Sequence, residues 1–322
     1  MVRVAVLDDY QAVAKDMADW SLLPSEVEVQ VFTDHLSDDN LVVERLKDFE
    51  IVVAMRELTP FPHDLLSRLP GLRLLITTGM RNASIDIDAA SQLGILVCGT
   101  GGLPYPTAEL TWGLILALLR NIPREDSATR DGHWQVTVGT GLKGKVLGVL
   151  GLGNLGSQVA TVGTAFGMSV IAWSQNLTQE RAAQFDARLV GKDELLSRSD
   201  IVTIHVVLSE RTRGLLAARE LGLMKPTAYL INTSRGPIVD ETALVEALEN
   251  KTIAGAGLDV FDPEPLPPDH PLLSLDNTVL TPHLGYVTSE SYAVFFREAV
   301  EDIQAFLNVS PVRALNTPQS RR

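Results

Sequence analysis

Three short signatures in the second half of the chain carry side chains able to do chemistry. Arg235 stands in Asn232-Thr233-Ser234-Arg235-Gly236, Glu264 in Asp259-Val260-Phe261-Asp262-Pro263-Glu264-Pro265, and His283 in Thr281-Pro282-His283-Leu284-Gly285. Each follows a short run that reads as a buried strand: Ala228–Asn232, Gly255–Leu258 and Thr278–Leu280. In a doubly wound sheet, ligands bind beyond the carboxyl ends of the strands. A guanidinium, a carboxylate and an imidazole at three such ends can therefore converge on one cleft. Taken singly, each has a plainer role, as a surface arginine, a solvated glutamate or a loop histidine. Their coincidence behind a nucleotide-type turn is what favours chemistry.

That turn is one of two G-x-G-x-x-G matches. Gly139 to Gly144 precedes a strand, so the physics of the motif is missing there. Gly151-Leu152-Gly153-Asn154-Leu155-Gly156 follows the strand Lys145–Leu150 and opens a helix running from Asn154 toward Phe166. Its first glycine permits a tight turn, its second lets backbone approach a pyrophosphate, and its third lets helix pack on strand. The helix N-terminus offers free N–H groups and partial positive charge to phosphates. A glycine-rich turn that binds nothing and an adenosylmethionine site are rival readings. About twenty residues on, where an acid usually holds the adenosine ribose, the chain has Ser174, and the first acid is Glu180. No carboxylate there repels a 2′-phosphate, so the cofactor reads as NAD or NADP.

The elements that must position these residues form an α/β chain. Val2–Leu7, Val27–Phe32, Ile51–Ala54 and Leu72–Thr77 read as buried strands separated by helical segments such as Asn40–Asp48 and Pro62–Leu69. A second series follows, with Lys145–Leu150, Ser169–Trp173, Asp200–Val207, Ala228–Asn232, Gly255–Val260 and Thr278–Thr281 as strands. Alternation of this kind implies parallel sheets with helices on their faces. Cys98–Pro106, dense in glycine and proline, reads as the hinge between two units. Thr107–Arg120 is apolar almost all round and so demands burial. Ser289–Leu307 closes the chain as an amphipathic helix.

Composition bounds the answer. At 322 residues, 45% hydrophobic and 21% charged, the chain suits two globular domains and excludes a disordered or collagen-like protein. The net charge of −13 argues against nucleic acid as a main partner. One cysteine, Cys98, allows neither an internal disulfide nor a thiolate cage, and no metal site is expected. No apolar run approaches the ~20 residues of a membrane span, and the apolar run at the N-terminus stops at Asp8, so the protein is expected to be cytoplasmic.

Together these segments resemble the D-isomer-specific 2-hydroxyacid dehydrogenase family. The resemblance covers nearly the whole chain and includes Ile85-Asp86, Gly94-Ile95, Ala108-Glu109, Arg130-x-Gly132-x-Trp134, the glycine turn and all three signatures. Departures are Ser174 for the usual Asp, His205-Val-Val-Leu for His-x-Pro-Leu, and a less glycine-rich Thr78–Asn82.

The resemblance implies two doubly wound parallel-sheet domains, a Rossmann coenzyme domain (101–285) inserted into a flavodoxin-like substrate domain (1–100 and 286–322). It implies hydride transfer between NAD(P)H and a small 2-oxo or D-2-hydroxy acid, in the manner of glyoxylate or hydroxypyruvate reductases. His283 would be the acid/base, Glu264 its partner, favouring the charged ring, and Arg235 the clamp on the substrate carboxylate and reacting oxygen. Asp259 would contact the nicotinamide or its ribose, with Thr233 also on the cofactor. The backbone around Met80, Arg81 and Asn82 would close on the substrate carboxylate. Arg56 and Arg81 are cations available to a phosphorylated substrate, so 3-phosphoglycerate dehydrogenase is the specific rival. A corepressor-like nucleotide sensor is the rival of another class. The apolar Thr107–Arg120 helix would contribute to a homodimer interface.

Overall fold

The computed structural model describes residues 1–319; Ser320, Arg321 and Arg322, the end of the polar tail, lie outside the described residues. The chain divides into two compact units. One comprises Met1–Leu103 with the chain from Thr288 onward, the other Pro104–Val287.

In the first unit, β1 (Val2–Val6), β2 (Val27–Val31), β3 (Ile51–Ala54), β4 (Leu74–Thr77) and β5 (Leu96–Gly99) form a parallel sheet in the order β2-β1-β3-β4-β5. This is the flavodoxin-like order. Strands β3, β4 and β5 are buried at every residue, which is why they read as largely apolar runs. Helices α1 (Asp39–Leu46), α2 (His63–Ser67) and α3 (Ile87–Gln92) connect them. Asp38 and Asp86 start α1 and α3 by accepting the Asn40 and Ala89 backbone N–H groups.

Cys98 and Gly99 belong to β5 rather than to a hinge. They pair with β4 on one side, and Cys98 bridges Ala314 on the other. The glycines that follow had masked the end of a strand. The last helix, Ser289–Leu307, buries Tyr292, Phe295, Phe296, Ala299, Val300 and Ile303 within this unit. The spacing is that of one helical face. Each such Phe contributes roughly 2–3 kcal/mol by leaving water.

In the second unit, α4 (Pro106–Leu119) and α5 (Ile122–Arg130) precede seven parallel strands. These are β6 (Val146–Leu150), β7 (Ser169–Trp173), β8 (Ala187–Leu189), β9 (Ile201–Ile204), β10 (Tyr229–Asn232), β11 (Gly255–Leu258) and β12 (Thr278–Leu280). Their order, β12-β11-β10-β9-β6-β7-β8, is the Rossmann order extended by one strand, with the switch point between β6 and β9. The connecting helices are α6 (Asn154–Ala165), α7 (Gln179–Ala183), α8 (Lys192–Arg198), α9 (Ala218–Leu223) and α10 (Glu241–Glu249), which makes the final helix α11 (Ser289–Leu307).

The all-round apolarity of α4 is largely accounted for inside its own unit. A Cβ on Gly163 of α6 would come within 3.5 Å of Trp112, and one on Gly257 of β11 within 3.3 Å of Leu114. Two glycines thus admit α4 into the core between helix and sheet. The second glycine match, Gly139–Gly144, lies outside any helix or strand. No helix among the described residues is long and apolar enough to cross a membrane.

Candidate active site

Both the glycine turn and the three chemical signatures leave the sheet at the carboxyl ends of its strands. Gly151 follows β6 with φ +99°, and its N–H donates to the Trp173 carbonyl at the end of β7 (2.8 Å). A Cβ there would stand 2.6 Å from the His205 carbonyl oxygen. On Gly156 a Cβ would fall 2.0 Å from the Gly151 carbonyl oxygen, so only glycine lets α6 start this close to the strand. Gly153 differs, because a Cβ there would meet nothing in the protein. That open notch precedes α6, whose N-terminus, with Asn154 and Leu155 in its first turn, has no side-chain cap.

His205, just beyond β9, donates or accepts at Thr203 Oγ1 through Nε2 (2.9 Å), while its buried Nδ1 has no partner. Burial pushes its imidazole down to about 4, so it is neutral at working pH. An open notch, an uncapped helix start and an orphaned nitrogen at the switch point fit a dinucleotide. Ser174 follows β7 and is half-buried, with Gln175 and Asn176 exposed beside it.

His283 sits on a left-handed residue (φ +55°), and its backbone N–H donates to the Asp259 carbonyl (2.9 Å). A positive φ on a non-glycine residue is uncommon and needs surrounding structure to hold it. Asp259 supplies that hold. It is fully buried; its Oδ1 accepts from Thr281 Oγ1 (2.6 Å) and the Leu284 N–H (2.7 Å), and its Oδ2 from the Gly285 N–H (2.9 Å). The sequence reading set Asp259 against the nicotinamide or its ribose; here both oxygens are engaged by the loop that carries His283. Desolvation raises the Asp259 carboxyl, opposed by these donors and by His283. Thr281 is a functional residue that the sequence did not single out, since a threonine before Pro-His carries no signal of its own.

Glu264 Oε2 lies 2.6 Å from His283 Nδ1, and Glu264 Oε1 accepts the Phe261 N–H (2.9 Å). Both side chains are mostly buried, 14% and 22% exposed for His283 and Glu264, so water weakly screens the pair. The Tyr286 ring meets the imidazole edge-to-face at 5.5 Å. His283 Nε2 has no hydrogen-bond partner among the described residues. Arg235 follows β10 in extended backbone, with its carbonyl accepting from Asn232 Nδ2 (3.0 Å) and its Nη1 donating to the Ser234 carbonyl (2.7 Å). A Cβ on the next residue, Gly236, would fall 2.1 Å from the Phe261 carbonyl oxygen. The arginine turn therefore presses directly on the backbone that anchors Glu264. Thr233 is buried, its hydroxyl 2.9 Å from that of Thr111 in α4.

The expected substrate residues lie in the first unit, at the ends of β3 and β4. Arg56 is left-handed (φ +51°); its N–H donates to Thr78 Oγ1 (2.9 Å) and its Nη1 to the Thr78 carbonyl (3.2 Å). Asn82 Nδ2 donates to the Arg56 carbonyl (2.5 Å) and to Thr77 Oγ1 (2.9 Å), so its side chain holds the loop together. Met80 and Arg81 are exposed. No group of His, Cys, Asp and Glu able to hold a metal occurs among the described residues.

A nucleotide-type switch point with a carboxylate–imidazole dyad and an arginine on neighbouring strand ends defines a dinucleotide-dependent oxidoreductase. The profile of the D-isomer specific 2-hydroxyacid dehydrogenase NAD binding domain matches residues 112–285. A glyoxylate reductase of Aeropyrum pernix is 43% identical over 253 residues, 76% of each chain. A D-3-phosphoglycerate dehydrogenase of Archaeoglobus fulgidus is 38% identical over 296 residues, 91% of this chain but only 56% of that longer protein. The crystal structure of a phosphoglycerate oxidoreductase from Vibrio cholerae superposes with a TM-score of 0.91 at 36% identity, over 96% of this chain and all of that one. The chain belongs to the D-isomer specific 2-hydroxyacid dehydrogenase family. It is an NAD(P)-dependent oxidoreductase acting on CH–OH donors, with a small hydroxy or oxo acid as substrate.

Proposed function

We propose that the chain reduces a small 2-oxo acid of the glyoxylate or hydroxypyruvate type to its D-2-hydroxy acid, with His283 as the proton donor. The observation that carries this reading is the 2.6 Å contact between Glu264 Oε2 and His283 Nδ1, on a turn held by buried Asp259. The nicotinamide, when bound, supplies the hydride. Glu264 accepts the Nδ1–H, fixes the orientation of the ring and leaves Nε2 to give its proton to the reacting oxygen. Arg235 holds the substrate carboxylate and the oxygen on which charge develops, with the planar fork suited to that task. Gly151, Gly153, Asn154, Leu155 and Gly156 hold the pyrophosphate, and Ser174 faces the adenosine ribose. Asp259 and Thr233 serve the cofactor end through the loops they brace. The backbone around Met80, Arg81 and Asn82 is assigned to the substrate carboxylate.

The position of Arg56 favours a second reading, in which the substrate carries a further anionic group, as 3-phosphoglycerate does. Its guanidinium lies 2.1 Å from where a Cβ on Gly79 would be, at the heart of the expected substrate loop. We further assign the protein to the cytoplasm, on its single buried cysteine, and to a homodimer. Supporting the dimer is an apolar arm after α5, where Trp134 is 79% and Val138 96% exposed.

One assay tests the activity. The pure protein is mixed with NADH or NADPH and each of glyoxylate, hydroxypyruvate, phosphohydroxypyruvate and longer 2-oxo acids, and reduced-nicotinamide absorbance is followed. Turnover with the first two supports the main reading, and turnover confined to the phosphorylated acid supports the second. No turnover with any of them sinks both.

A further inference from the structure

The segment that presents Glu264 runs from Asp262 to Pro271 and includes Pro263, Pro265, Pro267, Pro268 and Pro271. Proline has no N–H to donate, so this stretch cannot be latched to its neighbours by a backbone ladder. A side chain latches it instead. Glu241, the first residue of α10, reaches both ends of the segment. Its Oε1 lies 2.9 Å from His270 Nε2, and its Oε2 accepts the Asp262 N–H (3.4 Å). His270 is prepared for this contact, because its Nδ1 accepts the Leu272 N–H (3.3 Å). With Nδ1 an acceptor, the proton of the neutral ring is on Nε2 and points at Glu241. Leu272 is fully buried in the core, which ties the histidine to the body of the unit. Both side chains are mostly buried, His270 14% and Glu241 24% exposed.

We propose that Glu241 and His270 form a buckle that positions Glu264 against His283, so that Glu241 tunes the acid/base dyad without touching substrate or cofactor. The inference rests on the reading of Glu264 and His283 given above. Beyond the buckle, Glu264 is held only by the Phe261 N–H and by His283 itself. Opening the buckle removes the link between the two ends of the segment, leaving Asp262 to an exposed ion pair with Arg213 and His270 to the Leu272 N–H, and lets the carboxylate drift from the imidazole. The titratable groups that face His283 within its unit are Glu264, Asp259 and the Tyr286 ring, and only Glu264 rides on the buckled segment.

The test compares Glu241→Ala, Glu241→Gln, His270→Gln and Glu264→Gln with the parent enzyme. It follows the pH profile of 2-oxo acid reduction, normalised to active sites by reduced-nicotinamide titration. Glu241→Ala is expected to lower kcat about tenfold and to move the alkaline limb down by about one pH unit. KM for the nicotinamide should stay unchanged. Glu241→Gln, which keeps an acceptor for His270, should recover most of the rate and return the limb toward its original place. His270→Gln gives the same limb shift on a second route should Glu241→Ala fold poorly. A lower kcat with an unmoved limb in both buckle variants means a merely structural role and overturns the proposal. Glu264→Gln separates the failures. If it moves the limb while the buckle variants do not, only the buckle is wrong; if it leaves the limb in place, the assignment of Glu264 itself falls.

Discussion

His283 has three constraints at one residue: a left-handed backbone, a carboxylate on Nδ1 and an Nε2 left for the reacting atom. Replacing it by alanine removes the proposed proton donor while leaving Asp259 to hold the turn. The expected outcome is a fall in kcat of about 10²–10⁴-fold, with nicotinamide affinity unchanged by fluorescence titration. In the proposed site Ser174 stands at the adenosine ribose, so cofactor choice is tested there. Ser174→Asp should lower the NADPH-to-NADH ratio of kcat/KM by at least about tenfold, the equivalent of ~1.4 kcal/mol of repulsion with a 2′-phosphate. An unchanged ratio would move the ribose site elsewhere. Both residues are proposed from the sequence, one by type and one by the absence of an acid. The tasks of Asp259 and Thr281 were not legible there, because a carboxylate at a strand end looks the same whether it faces a ligand or caps a loop.

At the scale of elements, α11 carries a cluster that the chemistry does not use. Asp302 is fully buried, with Oδ1 3.0 Å from Arg313 Nε and Oδ2 without a partner, while Glu298 and Glu301 flank the same guanidinium. Burial pushes the Asp302 carboxyl up to about 7 from an ordinary 3.8, Arg313 opposing and the two glutamates adding to the rise. The native state then holds a proton that the unfolded chain has already released, so this group removes stability as pH rises from about 4 to about 7 and no more above that. Asp302→Asn keeps an acceptor for Arg313 and abolishes the titration. The variant should therefore gain on the parent between about pH 5 and about pH 8 in urea-unfolding midpoint, and an equal difference at the two pH values would refute the assignment. The sequence showed α11 as amphipathic. It could not show that a charged residue stands on the buried side, since Asp302 answers to Arg313 in a tail eleven residues on.

For the whole molecule, the exposed arm bearing Trp134, Val136 and Val138 is the surface on which the proposed dimer is tested. Glu125 braces it by accepting the Thr137 N–H (2.6 Å), so the arm is presented rather than collapsed. Trp134→Ser is expected to weaken self-association, shifting the mass from dimer toward monomer in light scattering at micromolar concentration while each protomer keeps its thermal transition. A parent protein that is monomeric at all concentrations would remove the dimer assignment. The helix first suspected of this role, α4, owes its apolarity mostly to burial on Gly163 and Gly257 within its own unit. A one-dimensional pattern reports that a face is hidden from water and not what hides it.

The chain by itself determined the class of fold and the chemistry, because strand periodicity, the glycine turn and the residue types at strand ends are local signals. Gly151 and Gly156 are needed for backbone reasons that any reader of the turn can state, Gly153 leaves the space open, and His283, Glu264 and Arg235 are proposed by type and place. Tertiary structure alone decided what the second carboxylate does. Glu264 reaches the imidazole across 19 residues of chain, whereas Asp259 is consumed by three loop donors. It alone brought Glu241 to both ends of a proline-rich segment 21 and 29 residues away. Pairings of that kind depend on how strands and helices stack, and side-chain spacing along the sequence carries no record of it.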